Sequence, residues 1–263
     1  MDDALDEIAF LANSENRVTV FESLVEGPRS RDEIRARVDA SRVTVARILR
    51  ELEERSWIEH RGQEYTVTPL GEWVCDEFVQ LAERMETEQR LRPPLQWFPD
   101  ELLTFDVRSL HDAEVVRVDE SDATSIIRQI LEFHRAADRL RGVARMVAPV
   151  FVENHWELTV EGDTRFEMVV TPEVIDVIRD HPRSARQFGQ MLDEPDVDVS
   201  VYEDVPLSVG IVDGAVGINL TDEQGVIKGA LRTEDDTVLK WALDLFARCR
   251  RAARPVSAAV LAD

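Results

Sequence analysis

Apolar residues recur at helical spacing from the start of the chain. Leu5, Ile8, Phe10 and Leu11, then Val18, Phe21, Leu24 and Val25, predict two amphipathic helices. Ser14 is placed to cap the second, with Glu15 in its first turn, and Gly27-Pro28 stops it. Ser30 followed by Glu33 has the spacing of a capping box and opens a short helix, "RDEIRARV". Asp39-Ala40 forms a turn, and Ser41 caps a further helix that runs to about Arg55. At 100° per residue, Val45, Ile48, Leu49 and Leu52 share the inward face of that helix. Val43, Ala46, Arg47 and Arg50 point the other way, and Arg42 sits in the exposed first turn.

The period then changes from helical to alternating. Residues 57–60 and 64–67 read as two short strands joined by Arg61-Gly62-Gln63. A helix followed by such a hairpin is the outline of a winged helix-turn-helix. Pro69, after Thr68, starts a long helix on which Trp73, Val74, Phe78, Leu81 and Met85 fall on one stripe. That stripe is read as a dimer helix, with packing on its own domain as the alternative, because winged helices that bind DNA usually need two half-sites about one DNA turn apart. Pro93-Pro94 ends it.

Beyond residue 98, strand and helix periods alternate. Strands are expected at 113–118, 142–150 and 165–171, and helices at 123–140, 172–181, 184–194 and 236–253. The segment 151–162 reads as helix. "VDVSVYED", "LSVGIVDGAVGINL" and "GVIKGALR" read as an antiparallel meander with Asp213-Gly214 as its clearest hairpin turn. The expected architecture is α/β (α+β): a winged helix-turn-helix over 1–68, a connecting helix over 69–97, a mixed α/β sensor-like domain over 98–254 and a tail over 255–263. A sheet with flanking helices is the natural layering for the second domain.

Composition narrows the function. The 263 residues are 44% apolar and 32% charged, with 53 acidic against 31 basic side chains and a formal net charge of −22. Only Lys228 and Lys240 are lysines, so 29 of the basic residues are arginines. Excess carboxylate with almost no lysine resembles proteins of extreme halophiles, whose carboxylates hold water and counterions. Within residues 29–61, nine arginines meet seven carboxylates, a local +2 that leaves −24 elsewhere. No apolar run approaches the roughly 20 residues of a membrane span. The acidic start lacks the basic region of a signal peptide, so a cytoplasmic protein without membrane partners is expected. Cys75 and Cys249 are far apart and make no C-x-x-C pair, so neither zinc nor a disulfide framework is suggested.

The segment "SRVTVARILRELEERSWIEHRGQEYTVTPLGEWV" resembles the winged-helix domain of archaeal ArsR-like and TrmB-like transcriptional regulators. Its marks are a Ser/Thr-rich helix start, an L-x-E-L exit, a W-I first wing strand and a T-x-L-G entry to the next helix. The Cys or His clusters of the metal-sensing ArsR-like branch are missing. From about Phe98 to Ala253 the chain resembles the middle domain of methanogenesis-regulator-type transcription factors. Here the marks are "APVFVENHWELTVEGDTRFEMVVTPEV", "DVSVYEDVPLSVGIVDGAVGINL" and "VLKWALDLFARCRRAA". That resemblance implies a regulatory domain able to receive a small-molecule signal. Sugar-sensing TrmB-like relatives have a phospholipase-D-like effector domain, but the H-x-K-x-x-x-x-D motif is absent from this sequence.

These readings lead to a dimeric, sequence-specific transcriptional regulator whose partners are double-stranded DNA, a second copy of itself and a small-molecule effector. The DNA-binding candidates are Ser30, Arg31, Ser41, Arg42, Val43, Thr44, Arg47, Arg50 and Arg61. Arginine pairs bidentately with guanine, and Val43 is suited to a thymine methyl. Arg61 at the wing tip is within reach of phosphate or the minor groove. His134, Arg145 and Glu167 are candidate effector-site residues. Strand alternation places Glu167 opposite Phe166 and Met168, a solvent-facing position. His155-Trp156-Glu157 reads as surface or core packing. No G-x-G-x-x-G, P-loop or G-x-S-x-G motif is present, no cofactor is expected, and no complete catalytic site can be assembled. The rival reading is a winged helix that recruits a protein partner and does not touch DNA.

Overall fold

The computed structural model describes residues 2–117, 124–135, 137–222 and 224–257. The chain divides into two compact units between Glu88 and Gln89. None of the described helices is long and apolar enough to cross a membrane.

The first unit opens with α1 (Asp2–Ala12), α2 (Glu15–Val25), β1 (Arg29–Ser30), α3 (Arg31–Arg35) and α4 (Arg42–Glu54). Strands β2 (Ile58–Arg61) and β3 (Glu64–Val67) follow, and α5 (Pro69–Leu95) begins directly after them. The helix starts lie where capping chemistry puts them. Ser14 accepts from the Arg17 N–H, Ser41 accepts from the Thr44 N–H at 3.1 Å, and Ser30 with Glu33 forms a reciprocal box. The inward residues Val45, Ile48, Leu49 and Leu52 are buried against Phe21, Leu24 and Ile34, and Phe21 stacks on Trp57 at 5.5 Å. The wing has three strands in the order β1-β3-β2, with Arg29 opposite Tyr65. The two-residue β1 is too short to leave a period in the sequence. The hairpin turns at Gly62, whose φ of 67° favours glycine. Arg61 ends β2 and is not part of the turn itself.

In the second unit, an eight-stranded sheet has the order β11-β7-β6-β5-β8-β9-β10-β4. Its strands are β4 (Glu114–Arg117), β5 (Arg139–Ala144), β6 (Arg165–Val170), β7 (Val197–Val201), β8 (Ser208–Val212), β9 (Ala215–Thr221), β10 (Ile227–Thr233) and β11 (Arg254–Pro255). Strands β5, β6 and β7 run parallel, and β8, β9, β10 and β4 form an antiparallel ladder beside them. Helices α6 (Ser125–His134), α7 (Pro149–Trp156), α8 (Pro172–Arg179) and α9 (Pro182–Leu192) cover one face, packing on Leu140, Phe166, Met168 and Ala230. Helix α10 (Asp236–Ala252) covers the other, packing on Val143, Val169, Val209 and Ile218.

Several expected boundaries shift. The strand expected at 142–150 is β5, three residues earlier, because Pro149 starts α7. The helix expected to reach Leu140 ends at His134, freeing Arg139 and Leu140 for the sheet; its expected start, Ala123, lies outside the described residues, as does Val118 of the first strand. The segment "VDVSVYED" leaves the expected meander, since β7 pairs in parallel with β6. Pro93 and Pro94 fall within the last turn of α5, so that helix ends at Leu95. Asp213 and Gly214 do make the β8–β9 turn, with φ of 50° and 102°.

Candidate nucleic-acid interface and a buried histidine cavity

Helix α4 presents a face free of the core. Val43 is 79% exposed, unusual for a β-branched apolar residue, and Arg42, Arg47 and Arg50 are exposed beside it. Two of these arginines are held by carboxylates one turn on: Arg47 pairs with Glu51 at 3.0 Å and Arg50 with Glu54 at 3.6 Å. Exposed pairs of this kind contribute about 0–1 kcal/mol, so they hold the two guanidinium groups only weakly. Arg42 makes no ion pair with any described residue. Ser41 and Thr44 hydroxyls lie 2.9 Å apart in the first turn and are spent on capping. Ser30 is likewise engaged in its capping box. Arg31 donates to the Tyr65 hydroxyl at 2.7 Å, which fixes it against the wing. Arg61 is exposed and pairs with Glu59 at 2.5 Å.

Not every arginine in this basic stretch faces outward. Arg29 donates to the Ser23 carbonyl, and Arg55 pairs with Glu7 while lying 3.6 Å over the Phe10 ring. Arg17, nearly buried, joins Glu51 and the Phe10 carbonyl. Glu51 therefore anchors Arg17 from one side and Arg47 from the other. Sequence position alone does not distinguish these clamping arginines from those free to meet a ligand. His60, stacked on Tyr65 at 4.4 Å beside Arg31, is an exposed wing residue that the sequence pattern passed over.

In the second unit, the three effector candidates separate. His134 is buried at the end of α6, where its Nδ1 lies 3.2 Å from Nε2 of His155 on α7. Burial lowers the His134 pKa to about 4 and pushes that of His155 well below the usual imidazole range, so both rings are neutral near pH 7. Arg145 donates its backbone N–H to Ser208 Oγ and its guanidinium to the Pro206 carbonyl. Glu167 is on the opposite face of the sheet and is 8% exposed, not solvent-facing. It pairs with Arg139 and with Arg250 of α10 at 3.1 Å. Desolvation raises its pKa, but the hydrogen bond and the charges of the surrounding arginines outweigh that and hold it below the usual value. Alternation gave its face correctly; it could not reveal that α10 covers that face.

The His134–His155 pair borders a cavity of about 80 Å³ with walls that include Met146, Val147, Phe151 and Met168. A second chamber of about 120 Å³ lies beside it on the same sheet face, and Ile130, His134, Gly210 and Asn219 line both. Among the described residues, no group of three or more His, Cys, Asp or Glu side chains is arranged to hold a metal ion. Cys75 and Cys249 are free and buried, and burial pushes the Cys75 thiol up to about 12.

Comparison with known proteins matches the chain to two family models. Residues 5–90 match the HVO_A0261 N-terminal domain, and residues 124–252 match the middle domain of the methanogenesis regulatory protein FilR1. No curated protein sequence matches. Among solved structures, TrmBL2, an archaeal chromatin protein, is 14% identical with a TM-score of 0.45, over 95% of this chain and 99% of that one. The phospholipase D family member Nuc from Salmonella typhimurium is 12% identical with a TM-score of 0.42, over 55% of this chain and 97% of that one. NucT from Helicobacter pylori is 9% identical with a TM-score of 0.41, over 55% and 98%. In successive stretches the chain is thus similar to an HVO_A0261 N-terminal domain and to a FilR1 middle domain.

Proposed function

We propose that this protein is a dimeric, sequence-specific DNA-binding transcriptional regulator of a halophilic archaeon, acting in the cytoplasm, and that its second unit senses a small-molecule effector. The observation that carries the reading is the outward face of α4. It combines an exposed Val43 with Arg42, Arg47 and Arg50, on a helix whose other face is fully buried. Those residues offer a methyl contact and bidentate donors of the kind that read the major groove. The match to a regulatory protein's middle domain supports a role in control. Dimerisation is supported by apolar side chains left in solvent on the first unit: Leu5 and Ile8 on α1, and Leu70, Trp73, Leu81 and Met85 on α5. Of the five stripe residues expected at the dimer, Val74 and Phe78 instead pack on their own domain. An effector acts on DNA binding only if it binds the DNA-competent and incompetent states with different affinity.

The test is affinity for the DNA upstream of the protein's own gene, at matched salt, for wild type and for Arg47→Ala with Arg50→Ala. Each bidentate base contact is worth about 1–3 kcal/mol, so the double variant should bind at least tenfold more weakly. Equal binding would favour the protein-interaction reading.

A further inference from the structure

The two chambers under α6 and α7 have the chemistry of a site for one kind of molecule. The inner walls are apolar, and the polar groups at its border are few: His134, His155, Ser208 and Asn219. Ser208 Oγ already accepts from the Arg145 N–H. The Asn219 side-chain amide makes no hydrogen bond to any described residue, although it lines both chambers. The His134–His155 contact uses one nitrogen of each ring and a single proton between them. His134 Nε2 remains, and it is a donor or an acceptor according to which ring supplies that proton. The bare backbone of Gly210 keeps this nitrogen uncovered, since a Cβ there would sit 3.3 Å from it. Gly217 makes similar room for the ring of Phe133, which a Cβ would meet at 2.7 Å.

Charge decides the rest. The neutral imidazoles offer an anion no positive charge, only a neutral N–H. In the second chamber the one cation among the described lining residues, Arg232, lies over Phe133 at 4.6 Å and 3.9 Å from Glu114, with Glu132 also on the rim. Burying an unpaired charge against the apolar walls is strongly unfavourable. A dry apolar cavity of about 150 Å³ holds benzene. At about 80 Å³ and 120 Å³ neither chamber alone reaches that volume, so a ring bearing a polar substituent needs both, across the residues they share: Ile130, His134, Gly210 and Asn219.

We propose that this paired cavity binds an uncharged, mainly apolar molecule the size of a substituted six-membered ring, with one hydroxyl or amide group that meets His134 Nε2 and the Asn219 amide. The proposal deepens the effector-sensing reading, yet its binding assay does not depend on DNA.

The test is calorimetric titration of the full chain with phenol, benzene and benzoate, followed by Asn219→Ala and His134→Phe. Phenol should bind in a saturable 1:1 manner. Benzene should bind about fivefold more weakly for loss of the hydrogen bond, and benzoate should not bind. Asn219→Ala, a partly exposed position whose truncation leaves the core intact, should weaken phenol about fivefold; His134→Phe should do the same where circular dichroism shows it folded. Benzoate binding as tightly as phenol, phenol binding unchanged in Asn219→Ala, or no phenol binding to the wild type would each overturn the proposal. Phenol binding that leaves DNA affinity unaltered would sustain the site while removing its role as a sensor of effector.

Discussion

Burying two imidazoles side by side makes the fold sensitive to mild acid. In the unfolded chain His134 titrates near 6.5, whereas burial holds it near 4 in the fold. Between those values the unfolded chain binds more protons, so stability is complete above about 6.5 and is lost as pH falls towards 4. For His134 alone the loss between pH 7 and pH 5 is about 2 kcal/mol. Glu33, Glu167, Glu173 and Asp222 have lowered pKa values and lose their contribution at lower pH, below the ordinary carboxylate range. Urea unfolding at pH 7 and pH 5 therefore isolates the histidines. His134→Phe should reduce that difference, His155 keeping its own share, and a wild type equally stable at both values would contradict the burial. The same residue-level logic applies on α4. Glu51 and Glu54 pair with Arg47 and Arg50 along the helix, in exposed ion pairs that hold the guanidinium groups only weakly.

Elements in the first unit lock through backbone contacts. Gly71, in the first turn of α5, lies so close to the wing that a Cβ would stand 1.9 Å from the Trp57 carbonyl oxygen. Thr68 ties the same junction, its N–H donating to Trp57 at 2.9 Å and its hydroxyl to the Ser56 carbonyl at 2.7 Å. Because the obstacle is backbone, Gly71→Ala should destabilise by about 2–3 kcal/mol in chemical denaturation. A neutral result would mean that α5 does not seat on the wing in this way. If the protein pairs through α5 as proposed, Leu81→Glu with Met85→Glu should halve the mass seen by light scattering; an unchanged mass would contradict that pairing. Elements defined by local signals were legible in advance: Ser14, Ser30 and Ser41 as caps, the buried face of α4, the Asp213-Gly214 turn. Elements defined by distant partners were not. The parallel seat of β7 beside β6, the burial of Glu167 under α10 and the meeting of His134 with His155 all depend on contacts between segments far apart in the chain. No period or motif within any one of those segments records them.

At the scale of the whole molecule, a net charge of −22 opposes approach to DNA. In molar salt the Debye length is about 3 Å, so distant carboxylates barely act and counterion release adds little affinity. On the proposed function, recognition would then rest on short-range contacts from α4. The most direct measurement is selection of bound duplexes from a random library in molar potassium chloride, with wild type and with Arg47→Ala plus Arg50→Ala. The wild type should enrich paired half-sites about one helical turn apart, with guanines at fixed positions, and the variant should lose those guanines. No enriched sequence for the wild type, or the same guanines enriched by both proteins, would contradict recognition through α4.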